Sequence, residues 1–177
     1  MKAVYKLLGI ILLSIAIFSG CNENTSETSP VSSDQGSLLK GSGPSATGQG
    51  RISGTNRVFA FNAVTHPDGS VSGQGQITYT HNGNDVKIHF NVDCLTVNGN
   101  VAILQGTVTK VIGYPEYSGV PFWVKVVDNG EGSNSNPDET TFWYYCEPET
   151  QCDLPECGGE LDVDLYPIEA GNIQVRQ

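Results

Sequence analysis

Positive charge, histidine and helical periodicity are all scarce in this chain. Nine Lys and Arg face 19 Asp and Glu, with 3 His, in 177 residues. Two of the nine, Lys2 and Lys6, fall in the first twenty residues, which hold no acid. The rest of the chain therefore keeps seven basic against 19 acidic side chains, a net charge of −12. Such a field repels phosphate and argues against nucleic acid as a partner. No Gly-x-Ser-x-Gly elbow, phosphate loop or dinucleotide fingerprint occurs, so the common nucleophile and nucleotide chemistries have no motif to stand on. After residue 20 no apolar stripe repeats every 3.6 residues over a helical length, which argues against helical architectures.

What the sequence has instead is period 2. Val86-Lys87-Ile88-His89-Phe90-Asn91-Val92 alternates without an error between Asn82-Gly83 and Asn98-Gly99. Alternation of this kind describes a strand with one buried face, and Asn-Gly favours hairpin turns because both residues tolerate positive φ. A two-residue loop at Asn82-Gly83 sets Tyr79 opposite Val86 and Ile77 opposite Ile88. A loop of Asn82 to Asp85 would pair Tyr79 with Ile88 and Ile77 with Phe90, and a three-residue loop breaks the match. Beyond Val92 the apolar residues change parity to Leu95 and Val97, which predicts a bulge near Asp93-Cys94. A three-residue turn at Asn98 to Asn100 would set Val97 opposite Val101 and Leu95 opposite Ile103.

Further strands are expected over 57–63, 71–80, 101–112, 120–127, 140–146, 161–165 and 171–176, with turns at His66-Pro67-Asp68-Gly69 and Gly113 to Gly119. The fold class is all-β, antiparallel, with about eight to ten strands. That number suits a small β-barrel or a two-sheet sandwich, and barrel closure would remove exposed edges.

The N-terminus reads as an address. Lys2 and Lys6 precede an apolar stretch, Leu7 to Phe18, followed by Ser19-Gly20-Cys21. This is too short for a spanning helix and resembles a bacterial lipoprotein signal over residues 1–20, cut before Cys21, which is then acylated and holds the chain on the membrane. The alternative is an ordinary signal peptide with Cys21 as a chance thiol. Asn22 after the cysteine resembles the outer-membrane sorting pattern if the source is Gram-negative. Residues 21–48 are rich in Ser, Thr, Gly and Asn and read as a flexible tether. Residues 49–177 suit one domain.

Cys94, Cys146, Cys152 and Cys157 form an even set, read first as disulfides in an exported domain. The rival is zinc, for which the gaps are wide. Of the three possible pairings, Cys152–Cys157 around Pro155 with Cys94–Cys146 is the preferred expectation.

The segments GSVSGQGQ (69–76), VDCLTVNGNVAILQG (92–106), VVDNGEGSNSNPD (126–138) and GNIQV (171–175) together resemble a widespread family of small exported, lipid-anchored bacterial β-domains with no assigned activity. The resemblance implies a compact β-fold outside the cytoplasm and no established catalytic residue.

Candidate chemistry is limited. The acidic loop brings Asp128, Glu131, Asp138 and Glu139 together, and calcium favours such oxygen donors, although the spacing does not follow the helix-loop-helix calcium pattern. A solvated hairpin loop is the alternative. Trp123, Trp143 and Tyr145 belong to an aromatic cluster with Tyr114, Tyr117, Phe122, Phe142 and Tyr144. Alternation puts Phe142 and Tyr144 on one face and Trp143 and Tyr145 on the other, so one pair is expected to face outward. Exposed rings would stack on a glycan or anchor an envelope protein; packing beneath loops is the alternative. His66, His81 and His89 lie in or beside turns or on a wet strand face, and Asp162 and Asp164 share a face two residues apart. The first reading is a non-enzymatic binding or structural domain, and the second a small barrel hydrolase or isomerase working from the barrel interior.

Overall fold

The computed structural model describes residues 43–131, 135–148 and 152–177. The signal segment, Cys21 and the tether up to residue 42 lie outside them. The described chain is an antiparallel barrel closed by eight staves. Its strands are β1 (Ser45–Ile52), β2 (Val58–Thr65), β3 (Val71–His81), β4 (Asn84–Asn98), β5 (Val101–Ile112), β6 (Pro121–Val127), β7 (Glu139–Thr140), β8 (Tyr144–Tyr145) and β9 (Tyr166–Arg176). β1 to β6 follow one another around the wall. β7 and β8 lie in tandem along one edge of β6 and together make one broken stave, and β9 closes the circle between β7 and β1.

The central hairpin forms as the alternation requires. Ile77 faces Ile88 and Tyr79 faces Val86, so the loop is the two residues Asn82-Gly83. Both adopt positive φ, 50° and 78°. The β4–β5 register shifts between Val92 and Cys94, the bulge that the change of parity demands, and Leu95 joins the core opposite Leu104. The same pairing shifts again between His89 and Phe90.

Several expectations are corrected. The β4–β5 turn has two residues, because Asn98 itself pairs with Val101 and Leu95 meets Leu104 rather than Ile103. Residues 161–165 form no strand; β9 begins at Tyr166 and absorbs the short closing strand. The stretch 140–146 is broken between Thr140 and Tyr144, since one more residue lies along Thr140–Tyr145 than along the facing Phe122–Val126. β1 starts at Ser45, inside the stretch whose composition reads as tether. Gly48 and Gly50 hide that strand from its sequence.

The interior is packed solid over most of its height. Phe59, Phe61, Phe90 and Phe122 surround Trp143, whose ring centroid is 4.6 Å from Phe90 and 5.6 Å from Phe122. Burying large rings is worth several kcal/mol each in apolar transfer (~25 cal/mol per Å²). Gly75 makes room for them: it pairs with Phe90, and a Cβ there would overlap the Phe90 ring.

Outside the wall, residues 155–160 lie against β5 and β6. Cys94 pairs with Cys157 and Cys146 with Cys152, which corrects the expected Cys152–Cys157 and Cys94–Cys146. The bulge explains the outcome. It turns Cys94 outward beside Gln105, under the returning loop, whereas Cys146 follows the broken stave at the barrel's end. Gln105 accepts from the Gly158 N–H and donates to the Pro155 carbonyl, fastening the same loop.

Candidate functional site

The two barrel ends differ. At the end where β1 enters, the acidic loop acts as a seam. β9 pairs with β7 only at Tyr166 and Pro167, so its later amides on that side lack a strand partner. Asp138, 6% exposed, accepts the Ile173 N–H at 2.6 Å and the Asn129 N–H at 2.8 Å. Asp128 accepts the Val175 and Gly130 N–H groups, both at 2.9 Å. Glu131 accepts from the Asn172 and Gln174 side chains, and Glu139 is a member of β7. Three of the four carboxylates expected as calcium ligands, those of Asp128, Glu131 and Asp138, are thus engaged by the acidic loop and β9. Among the described residues no group of three or more metal-ligating side chains converges.

The opposite end opens over a cavity of about 370 Å³, within the ~300–1,000 Å³ of small-molecule sites. Its floor is apolar: Ile88 of β4, Val108 and Val111 of β5, and Trp143 between β7 and β8. Tyr79, Tyr145 and Arg57 form a wall; His81, Tyr114 and Tyr117 stand with them around the cavity. A larger depression, about 700 Å³, lies over the outer wall near Asn62, Gln74, Gln76 and Asn91. That groove rests on open sheet, whereas the end cavity is walled by rings on several staves.

Arg57 sits at the start of β2, where the β2–β3 register continues from Val58 opposite Thr78 toward Tyr79. Its guanidinium carbon is 5.0 Å from the Tyr79 ring centroid and 4.9 Å from that of Phe142. Among the described residues no carboxylate forms an ion pair with it, and no acceptor takes a hydrogen bond from its guanidinium. Two aromatic rings thus flank the cation, and its N–H groups have no acceptor among the described residues. Among the described residues no carboxylate lines the cavity.

Tyr79 and Tyr145 keep their protons. Burial pushes the Tyr145 hydroxyl far above the ordinary phenol value, Tyr79 adds to the shift, and Arg57 opposes it. Burial raises Tyr79 as well, with Arg57 again opposing and Tyr114 and Tyr117 reinforcing. The wall therefore offers hydrogen-bond donors at neutral pH. The Trp143 Nε1–H is buried without a partner, an omission that costs about 1–3 kcal/mol.

The aromatic residues proposed from sequence separate in space. Trp143, 4% exposed, is interior, and Tyr145 stands above it at the cavity. Trp123, 0% exposed, faces the other way and lies on the outer wall, where its indole N–H donates to the Gly159 carbonyl at 2.9 Å. Tyr144 packs edge-on against it, and Phe142 packs on Tyr166 at 4.4 Å. The other pair, Phe142 and Tyr144, is half-buried, each ring resting on another: Tyr166 of β9 and Trp123. Neither tryptophan is available for stacking at the surface.

The remaining candidates are scattered. His66 bonds Ser72 at 2.6 Å in a turn. His81 stands near Tyr114, with ring centroids 6.2 Å apart, while His89 lies on the outer wall opposite Gln76 and Lys110. Asp162 and Asp164 are exposed and do not line the cavity. Arg57 carried no signal in the sequence, because its neighbours come from staves 22 and 85 residues further along. The chain matches no family model, no curated protein and no solved structure, so the geometry alone carries the functional argument.

Proposed function

We propose that this protein is a lipid-anchored, extracytoplasmic β-barrel that binds a small ligand in the cavity at its open end. The lipoprotein-like segment ending at Cys21 and the tether that follows support the envelope location, and the two disulfides fit a non-reducing compartment. The observation that carries the binding role is a ring-walled cavity of about 370 Å³ at one end of an otherwise solid barrel. Tethered through β1, the domain is joined to its anchor at the end remote from this opening. A binding role fits the lining better than carboxylate-assisted catalysis does: among the described residues the cavity is lined by one histidine and no carboxylate.

The neutral probe N-phenyl-1-naphthylamine tests the reading. The folded domain is expected to take up one probe per barrel, with blue-shifted fluorescence. Val111→Trp, which fills the floor, and Tyr117→Trp, which fills the mouth from a loop, should each remove this uptake with the melting temperature retained in at least one. Absence of stoichiometric uptake by the wild type, or uptake unchanged in a folded filled variant, overturns it.

A further inference from the structure

Resting on that binding site, we infer that its ligand is an amphipathic organic anion: an apolar body on the Trp143 floor and one carboxylate- or sulfonate-type group held by Arg57. The argument starts from what the cavity lacks. Its polar edge carries the Arg57 guanidinium and the protonated hydroxyls of Tyr79 and Tyr145 as donors, with His81, Tyr114 and Tyr117 around them, and among the described residues no carboxylate lines it. A cationic ligand would find no counter-ion, and a polyhydroxylated one would lack strong acceptors.

Arg57 is set for an anion. Its guanidinium carbon lies 5.0 Å from the Tyr79 ring centroid and 4.9 Å from that of Phe142, and no acceptor among the described residues takes a hydrogen bond from it. A guanidinium held beside rings in this way has donors left for a planar anion, which it can grip by two parallel hydrogen bonds. Tyr79 and Tyr145 stand beside it and can donate to the same anionic oxygens.

The acidic charge of the whole chain opposes such a ligand only weakly. Exposed charges beyond roughly 10 Å are screened at about 0.1 M salt. Of the acidic residues close in sequence to the lining, Asp85 accepts from Thr80, and Glu116 is exposed to solvent on a 3-10 turn. The floor, in contrast, offers only Ile88, Val108, Val111 and the Trp143 ring, which selects a flat or aliphatic body over a sugar.

The test uses two probes that differ only in the anionic group: 8-anilino-1-naphthalenesulfonate and N-phenyl-1-naphthylamine. The wild-type domain should bind the sulfonate at least tenfold more tightly than the neutral probe. Arg57→Met should remove that preference while leaving the neutral probe's affinity within about twofold. Arg51→Met deletes an arginine that pairs with Glu169 on the outer wall, and should change neither. Tyr117→Trp should remove both probes. A sulfonate preference that survives Arg57→Met, or that falls equally in Arg51→Met, overturns the anion assignment and leaves the cavity reading intact. Binding of neither probe by the wild type overturns both.

Discussion

The Asp138 carboxylate lies 2.6 Å from the amide nitrogen of Ile173, at a point where β9 has no strand on that side. A side chain here takes the place of a missing stave. Its second oxygen holds the Asn129 amide at 2.8 Å, so one carboxylate ties the acidic loop to the last strand and closes the barrel.

Asp138→Ala should accordingly cost several kcal/mol, since each buried amide left unpaired costs about 1–3 kcal/mol. Urea unfolding measures the loss. Glu131→Ala, at an exposed residue bonded only to exposed side chains, should stay within about 0.5 kcal/mol of wild type. Chelation should leave the melting curve in place; a rise of several degrees with calcium would reassign the loop to metal.

The cysteine loop offers a second test. Cleavage after glutamate separates Cys146, Cys152 and Cys157 onto different peptides, and mass spectrometry of the unreduced digest should return 94–157 and 146–152. The Cys94–Cys157 link spans 63 residues. Its removal by a paired serine replacement should cost about 4 kcal/mol on the chain-entropy scale, and Trp123 emission should shift to the red as the covering loop loosens.

Gly75 tests the packing argument. Gly75→Ala drives a methyl into the Phe90 ring, and overpacking of this kind costs about 1–3 kcal/mol. Gly83→Ala has open space around it and meets only its positive φ, for about 1 kcal/mol. Thermal unfolding should rank the two in that order.

Alkaline pH should weaken the fold through Tyr145. Burial holds its folded value above that of an ordinary phenol, so the protonated ring is the one the barrel favours. The contribution is complete below pH ~10. Above it the unfolded chain ionises first, and stability falls as pH rises toward the folded value. Tyr145→Phe should flatten this decline between about pH 9 and 11, read as urea midpoints, with phenolate absorbance appearing in the wild type only on unfolding.

How much of this was open to a reading of residues alone depends on distance along the chain. The Ile77–Ile88 and Tyr79–Val86 pairs follow from alternation and an Asn-Gly turn, and the shift between Val92 and Cys94 follows from a change of parity. All are contacts between neighbouring strands, where the pleat and the loop length leave few choices. β1 escaped such a reading because its glycines erase the pattern on which alternation depends.

Sequence by itself therefore determined the all-β class, the central hairpin, the bulge and an even set of cysteines suited to disulfides. Tertiary structure decided which aromatic ring is the plug and which lies beneath the outer loop, how the cysteines pair, and that Arg57 meets Tyr79 and Phe142. The reason is geometric. Alternation tells which residues share a face of a strand, but closure of the barrel alone decides which face is inside and which distant stave stands across from it.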